Sequence, residues 1–528
     1  MHDAPRMMHK HQHSLNQQDL TARGTPAPPG PDVIDHPRDR VGHPADVASF
    51  TFAGAAMAFI AACWAALFPY WPYRDRLVDL GKMVDYNAVV FAVWILGIVA
   101  WVGFTWVVLD ALRGVAFRDV RFRVSAISTA IILAFGSMYP TNAIDVFIYA
   151  VRSRLFTEYG ENPNAVEPIA HIDTDRYMQF ASKEWADDLS PYGPLWNLIA
   201  APITWIGHDS ITAAVIGFKV LSIGSVVLIA FLVYDIVRQR LPEWALAAAL
   251  AWLWNPLVLW DGVANAHNDV VLMVPVMLGI WAWVRGRDGA VIPLLILSVL
   301  IKYITVLLIP IALVAVWRRH PDWQARRSLI AQTISGSGLA ASVGFFPFYD
   351  VAPLIESVRD QGAKISTSPA WAVITVWHEF TGSPANADVV RAVGYGVVFV
   401  FIGFAMWRTW QMPEWFPRAC FEALFVYMLV ASTNQRPWYV IWIVPLAAIL
   451  LPAAPWARTL TWSVTALLQH VCTIYLWYVW DFGAWGTRNY LAIIVAVIFV
   501  PVIMVTALEL IGRVRDFPGR SPTQISPR

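Results

Sequence analysis

Long apolar runs separated by short polar breaks dominate this chain, and the runs have the length of membrane-crossing helices. A span needs about 20 mostly apolar residues. The pattern predicts spans over 49–71, 87–112, 124–140, 211–236, 244–260, 269–284, 328–348, 388–406, 419–433, 437–451, 459–479 and 490–511. Residues 194–206 are apolar but short, and 290–317 is too long for one span and carries Lys302 near its middle. The fold class is therefore all-α, a polytopic transmembrane protein of about 12–14 membrane helices with one large external loop carrying short amphipathic helices.

Basic residues orient the spans, because cytoplasmic loops are enriched in Lys and Arg. Arg113, Arg118, Arg121 and Arg123 follow the second run, Arg318, Arg319, Arg326 and Arg327 precede residue 328, and Arg513, Arg515 and Arg520 follow the last run. Placing all three groups inside puts both termini in the cytoplasm and residues 141–193, 349–387, 434–436 and 480–489 outside. If 194–206 only dips into the outer leaflet, Arg238, Arg240, Arg285 and Arg287 also fall inside. Residues 261–268 then face outside near the 141–193 loop, and 290–317 becomes a hairpin with Lys302 near its outer tip. The expected organisation is a disordered cytoplasmic tail (1–48), a transmembrane module that includes the external loop 141–193 (49–350), a C-terminal transmembrane module (351–512) and a cytoplasmic tail (513–528).

Composition agrees with lipid as the main solvent. Hydrophobic residues make up 58% and charged residues only 14%, against about 25% charged in soluble domains. A net charge of +1 carries no footprint of nucleic acid. Cys63, Cys420 and Cys472 lie apart in apolar runs, as buried small hydrophobes rather than a zinc or disulfide set. No phosphate-binding glycine loop or dinucleotide fingerprint occurs.

Candidate chemistry concentrates outside the runs. At helical spacing Asp145, Tyr149 and Arg152 share one face. A carboxylate beside arginines, just beyond a span, suits a general base acting on an anionic substrate; a solvated charge paired with Arg152 is the alternative. Glu158, Asp173, Asp175, Asp187 and Asp188 are rival acids in the same loop. Tyr159-Gly160 and Ser190-Pro191-Tyr192-Gly193-Pro194 are turn chemistry that launches the next apolar segment. Asn265, His267, Asn268 and Asp269 stand between two runs, where they can cap a helix or bind sugar hydroxyls. Lys302 is a charge inside an apolar segment, which by default signals function. Gln435, Arg436 and Trp438 occupy an outside turn in which the guanidinium can grip a phosphate.

Read in order, Asp145-Val-Phe-Ile-Tyr, Tyr159-Gly-Glu-Asn-Pro, Pro191-Tyr-Gly-Pro-Leu-Trp196, Asn255-Pro-Leu…His267-Asn-Asp269, the Lys302 segment and Arg436-Pro-Trp-Tyr439 resemble the polyprenyl-phosphate-mannose-dependent α-1,6-mannosyltransferases, multi-pass glycosyltransferases of the GT-C class. The resemblance covers roughly residues 120–450. This chain departs from the family pattern in Asn164, where an aromatic residue is usual, and in Arg152 and Arg154, where smaller polar residues are usual.

The resemblance implies that Asp145 is the catalytic base. It also implies a polyprenyl-phosphate sugar donor, most simply mannose, an inverting transfer to a lipid-linked or glycan acceptor hydroxyl, and a site on the external face of the cell membrane among membrane lipid. The candidate substrate-binding set is Arg152, Arg154, Tyr192, Trp196, Asn265, His267, Asn268, Asp269, Lys302, Gln435, Arg436 and Trp438. No cofactor or metal is expected, since cations can stabilise a monophosphate leaving group. Two alternatives remain: a GT-C enzyme for another lipid-linked pentose or hexose, and a transporter or flippase of lipid-linked glycans. A transporter would carry its polar groups at the bilayer midplane, often on paired broken helices.

Overall fold

The computed structural model describes residues 44–515 apart from 142, 183–184, 349–350, 384–385, 480 and 482–485. The two expected tails therefore fall almost wholly outside the described residues. The described residues belong to one compact unit. Every named element is a helix, and an isolated bridge joins Pro69 to Met138.

The long helices start and stop where local chemistry directs. Asn87 caps Ala88–Ala111 by accepting from Val89 N at 2.8 Å, and Ser210 caps Ile211–Arg238 by accepting from Ala213 N at 3.2 Å. Each such bond satisfies one of the orphan N–H groups of a first turn. Along Ala88–Ala111 the buried residues Trp94, Ile98, Trp101, Thr105 and Val108 recur every three or four positions, while Val89, Val93, Leu96 and Val99 are exposed. That apolar outer face, in a helix of 24 residues, is the signature of a span turned outward to lipid.

Five described helices are long and apolar enough to cross a bilayer, starting at Ala45, Ala88, Ile211, Ala387 and Ala492. A bent pair, Pro242–Leu253 with Val258–Ala264, makes a sixth if counted as one span. The polytopic helical class stands, but continuous spans are fewer than hydropathy suggested. Several apolar runs are broken inside the protein: 290–317 becomes Val291–Val299, Tyr303–Leu308 and Ile309–Arg319, and 437–451 becomes Pro437–Trp442 and Val444–Ala448. Irregular backbone is tolerated at membrane depth where protein covers it.

The break at Asn255-Pro256 shows how. Pro256 has no N–H to give, and the Asn255 side chain accepts from Leu257 N and Val258 N at 3.0 and 3.2 Å. The carbonyl of Trp254 accepts instead from Trp101 Nε1 at 2.9 Å. The chain bends by 56° and continues as a π-helix over Val258–Ala264. Left bare, one buried polar group there would cost about 1–3 kcal/mol.

The 194–206 stretch is the helix Pro194–Gly207, about 21 Å long at 1.5 Å per residue, short of the roughly 30 Å hydrocarbon core. Its start is stitched to the 290–317 hairpin: Gly193 N donates to Ile301 O at 2.9 Å and Leu195 N to Leu300 O at 3.0 Å. A Cβ on Gly193 would sit 2.1 Å from Leu300 O, so only glycine permits this approach. The contact sets Lys302 beside the 141–193 loop.

Candidate active site

Asp145 opens the helix Asp145–Tyr159, which ends at Gly160 with φ of 68°. As the first helical residue, its carboxylate meets the positive end of the helix dipole. It lies in the wall of a cavity of about 360 Å³, with its side chain 14% exposed. Burial pushes its carboxyl up to about 6, and the positive charges of Arg436, Lys302 and Arg152 act against that rise. Arg152, Tyr192, Lys302, Arg436 and Trp438 line the same cavity.

Behind this wall lies a second layer. His267 is fully buried, with Nδ1 3.6 Å from Asp145 Oδ2 and its ring stacked on Trp438 at 4.0 Å between centroids. The Tyr149 hydroxyl is 3.4 Å from His267 Nδ1 and donates to Asn268 Oδ1 at 3.3 Å. Asp269 accepts from Lys302 Nζ at 2.8 Å and from Trp442 Nε1 at 2.5 Å. The ammonium also sits over the Tyr439 ring at 4.6 Å and the Trp442 ring at 5.3 Å, two rings stacked on each other. Such a site holds the positive charge by a counter-ion and by ring faces together.

Several expectations change. Residues 261–268 do approach the Asp145 loop, but each is buried rather than presented at the surface. The charge of Lys302 inside its apolar segment is compensated within the protein by Asp269. Arg154 is absent from the cavity wall and instead pairs with Asp175, donates to Asp209 Oδ1 at 3.0 Å and covers the Tyr177 ring at 4.6 Å. Its place is a clamp within the loop. Trp196 packs edge-on against Tyr149 at 5.0 Å, Asn265 donates to Asp261 Oδ1 at 2.7 Å, and Gln435 Nε2 is turned toward Met428 Sδ at 3.9 Å. All three stand behind the wall.

The rival acids are engaged or turned away. Asp175 is held by Arg154, Tyr159 and Tyr177 N, and Asp188 binds Lys364 Nζ at 2.6 Å. Among the described residues of the 141–193 loop, Asp145 is the one acid that lines the cavity. The segment after 350 closes another side. Helix Ala352–Ala363 brings Val358 and Gln361 to the cavity, tied down by Ser357 Oγ to Ser190 O at 3.0 Å. Trp185 lines the opening with Lys364 at 4.7 Å and Arg436 at 5.8 Å from its ring. Sequence reasoning passed over Trp185, Trp442 and Val358; an indole two residues from the Asp187-Asp188 pair was the only local signal. Among the described residues no three His, Cys, Asp or Glu side chains gather as a metal site requires.

The arrangement can accept a proton at Asp145, bind an anion at Arg152 and Arg436, and present aromatic faces to a sugar. Residues 49–318, half of the 528-residue chain, match the family described as alpha-(1->6)-mannopyranosyltransferase, N-terminal domain. Alpha-(1->6)-mannopyranosyltransferase A of Mycobacterium tuberculosis is 25% identical over 335 residues, 60% of this chain and 62% of that protein. Alpha-(1->6)-mannopyranosyltransferase B of Corynebacterium glutamicum is 25% identical over 231 residues, 42% of this chain and 36% of its own length. The chain thus spans less than two thirds of either relative.

Proposed function

We propose that this chain, which belongs to the alpha-(1->6)-mannopyranosyltransferase family, moves a mannosyl group from a polyprenyl-phosphate donor to a hydroxyl of a lipid-linked or glycan acceptor. The transfer takes place at the external face of the cell membrane and inverts the sugar's C1. One observation carries the reading: Asp145 alone among the described loop acids meets the cavity that Arg152, Lys302 and Arg436 also line.

The acceptor oxygen gives its proton to Asp145 as it attacks C1 from the side opposite the phosphate. The bond from C1 to the phosphate oxygen breaks, and its electron pair leaves with the lipid phosphate. Arg436 and Arg152 meet that growing charge, with fixed donors in a partly enclosed site. Lys302, held by Asp269, contributes a charge locked in place rather than a mobile ligand. His267 stands behind the base, its Nδ1 3.6 Å from the carboxylate.

The test is transfer by the purified protein from radiolabelled polyprenyl-phosphate-mannose to extracted membrane lipids, with the product's anomeric configuration determined. Labelled α-mannoside is expected. Retention of configuration, or transfer from a polyprenyl-phosphate pentose with none from the mannose donor, overturns the reading.

A further inference from the structure

Lys219 is the ninth of the 28 residues of the span Ile211–Arg238 and is 4% exposed. A charge at such depth costs several kcal/mol unless the protein satisfies it, so its partners are informative. Its Nζ donates to Met138 O at 2.8 Å and to Ala264 O. Both acceptors are backbone carbonyls, and no ion pair of Lys219 occurs among the described residues.

The two carbonyls belong to the two segments that deliver the site. Met138 is just past the helix Phe117–Gly136, in the stretch that runs to Asp145. Ala264 ends the π-helix and precedes Asn265, His267, Asn268 and Asp269. One ammonium therefore bridges the approach to the base and the approach to the imidazole behind it. The second approach is strained: Ala266, next to His267, has φ of 54°, a left-handed conformation that disfavours any residue with a Cβ. Strain of this kind persists only where its surroundings over-determine it. Here the ties are Lys219 on Ala264 and Asp261 on Asn265.

We infer that Lys219 is a positioning residue for transfer, one that sets the separation of Asp145 and His267 by cross-linking the backbones on which they are mounted. The inference rests on the transferase reading above. A shift of about 1 Å at a reacting group can cost about 100-fold in rate. Lys219→Met keeps the stem and removes both bonds.

The test is a double-mutant cycle of Lys219→Met and His267→Ala, read as kcat for transfer from polyprenyl-phosphate-mannose, with thermal unfolding in detergent measured in parallel. Lys219→Met is expected to lower kcat by about 10–100-fold while KM for the donor changes less. The double variant is expected to be no slower than the slower single variant, because Lys219 acts through the His267 turn. Losses that multiply, or an unchanged kcat in a folded Lys219→Met protein, overturn the inference. Should Lys219→Met fail to fold, Lys219→Gln, a smaller neutral donor, enters the same cycle. Failure of both to fold assigns Lys219 to stability and overturns it as well. An inactive wild-type protein would instead sink the transferase reading itself.

Discussion

Asp269 Oδ1 lies 2.8 Å from Lys302 Nζ, and this pair joins the start of one apolar helix to the tip of a broken hairpin 33 residues later. The carboxylate is fully buried and the lysine side chain is 15% exposed. Removing one member of a buried pair leaves the other charge uncompensated, at a cost of about 3–5 kcal/mol. Asp269→Asn is therefore expected to lower the unfolding temperature in detergent sharply, and Asp269→Asn with Lys302→Met to lower it less than the sum of the single changes. Additive losses in thermal melts would show that the two residues are independent.

Asp145 can take a proton only when ionised. Its carboxyl titrates near 6, so the rate of transfer at low donor concentration should rise with pH through that region and level off above about 7. Arg436 favours the ionised form. Arg436→Gln should accordingly move the midpoint upward, besides weakening donor binding. Asp145→Asn should reduce transfer about 10²–10⁴-fold with expression retained. A pH profile flat from 5 to 8, or a downward shift in Arg436→Gln, would contradict the assignment; kcat/KM profiles of the three proteins decide it.

Asn164 braces the loop. Its Nδ2 donates to Ser190 O at 2.8 Å and Tyr192 O at 2.9 Å, and its Oδ1 accepts from Asn197 Nδ2 at 2.9 Å. Asn164→Ala should cost about 2–4 kcal/mol, since three buried hydrogen bonds go and their partners stay. Because Tyr192 lines the cavity, KM for the donor should rise too. Denaturant unfolding and donor titration measure both; full stability in the variant would refute the brace.

Ala170 is exposed in the 141–193 loop. In a background lacking Cys63, Cys420 and Cys472, Ala170→Cys should react with an impermeant thiol reagent on intact cells. Reaction only after the membrane is opened would put the loop, and the cavity with it, on the cytoplasmic side.

Hydropathy located the helices well because composition sets where a segment can be buried: 211–236 became Ile211–Arg238 and 269–284 became Asp269–Val284. It could not reveal continuity. A run such as 290–317 looks uniform whether it is one rod or three pieces, and the hydrogen bonds that make the breaks tolerable come from distant residues such as Trp101. Of the site, Asp145, Arg152 and Arg436 were legible as charges at the margin of apolar sequence, and Lys302 as a charge inside it. Arg154 was named with them although it is about 200° around the helix from Arg152. Lys219 satisfied the same criterion as Lys302 and was overlooked, while the Asp269–Lys302 contact was invisible because no local rule links residues so far apart.

The π-helix of Val258–Ala264 has a consequence for how this sequence can vary. Removing a residue from a π-helix, whose bonds run from i to i+5, rotates everything after it by a large angle. A single deletion there would swing His267 away from Asp145 and Asp269 away from Lys302, even with every side chain of both pairs intact. Insertions and deletions between Asn255 and Asp269 should therefore disturb both contacts together, so the spacing of that segment is as much a part of the proposed site as the residues it carries.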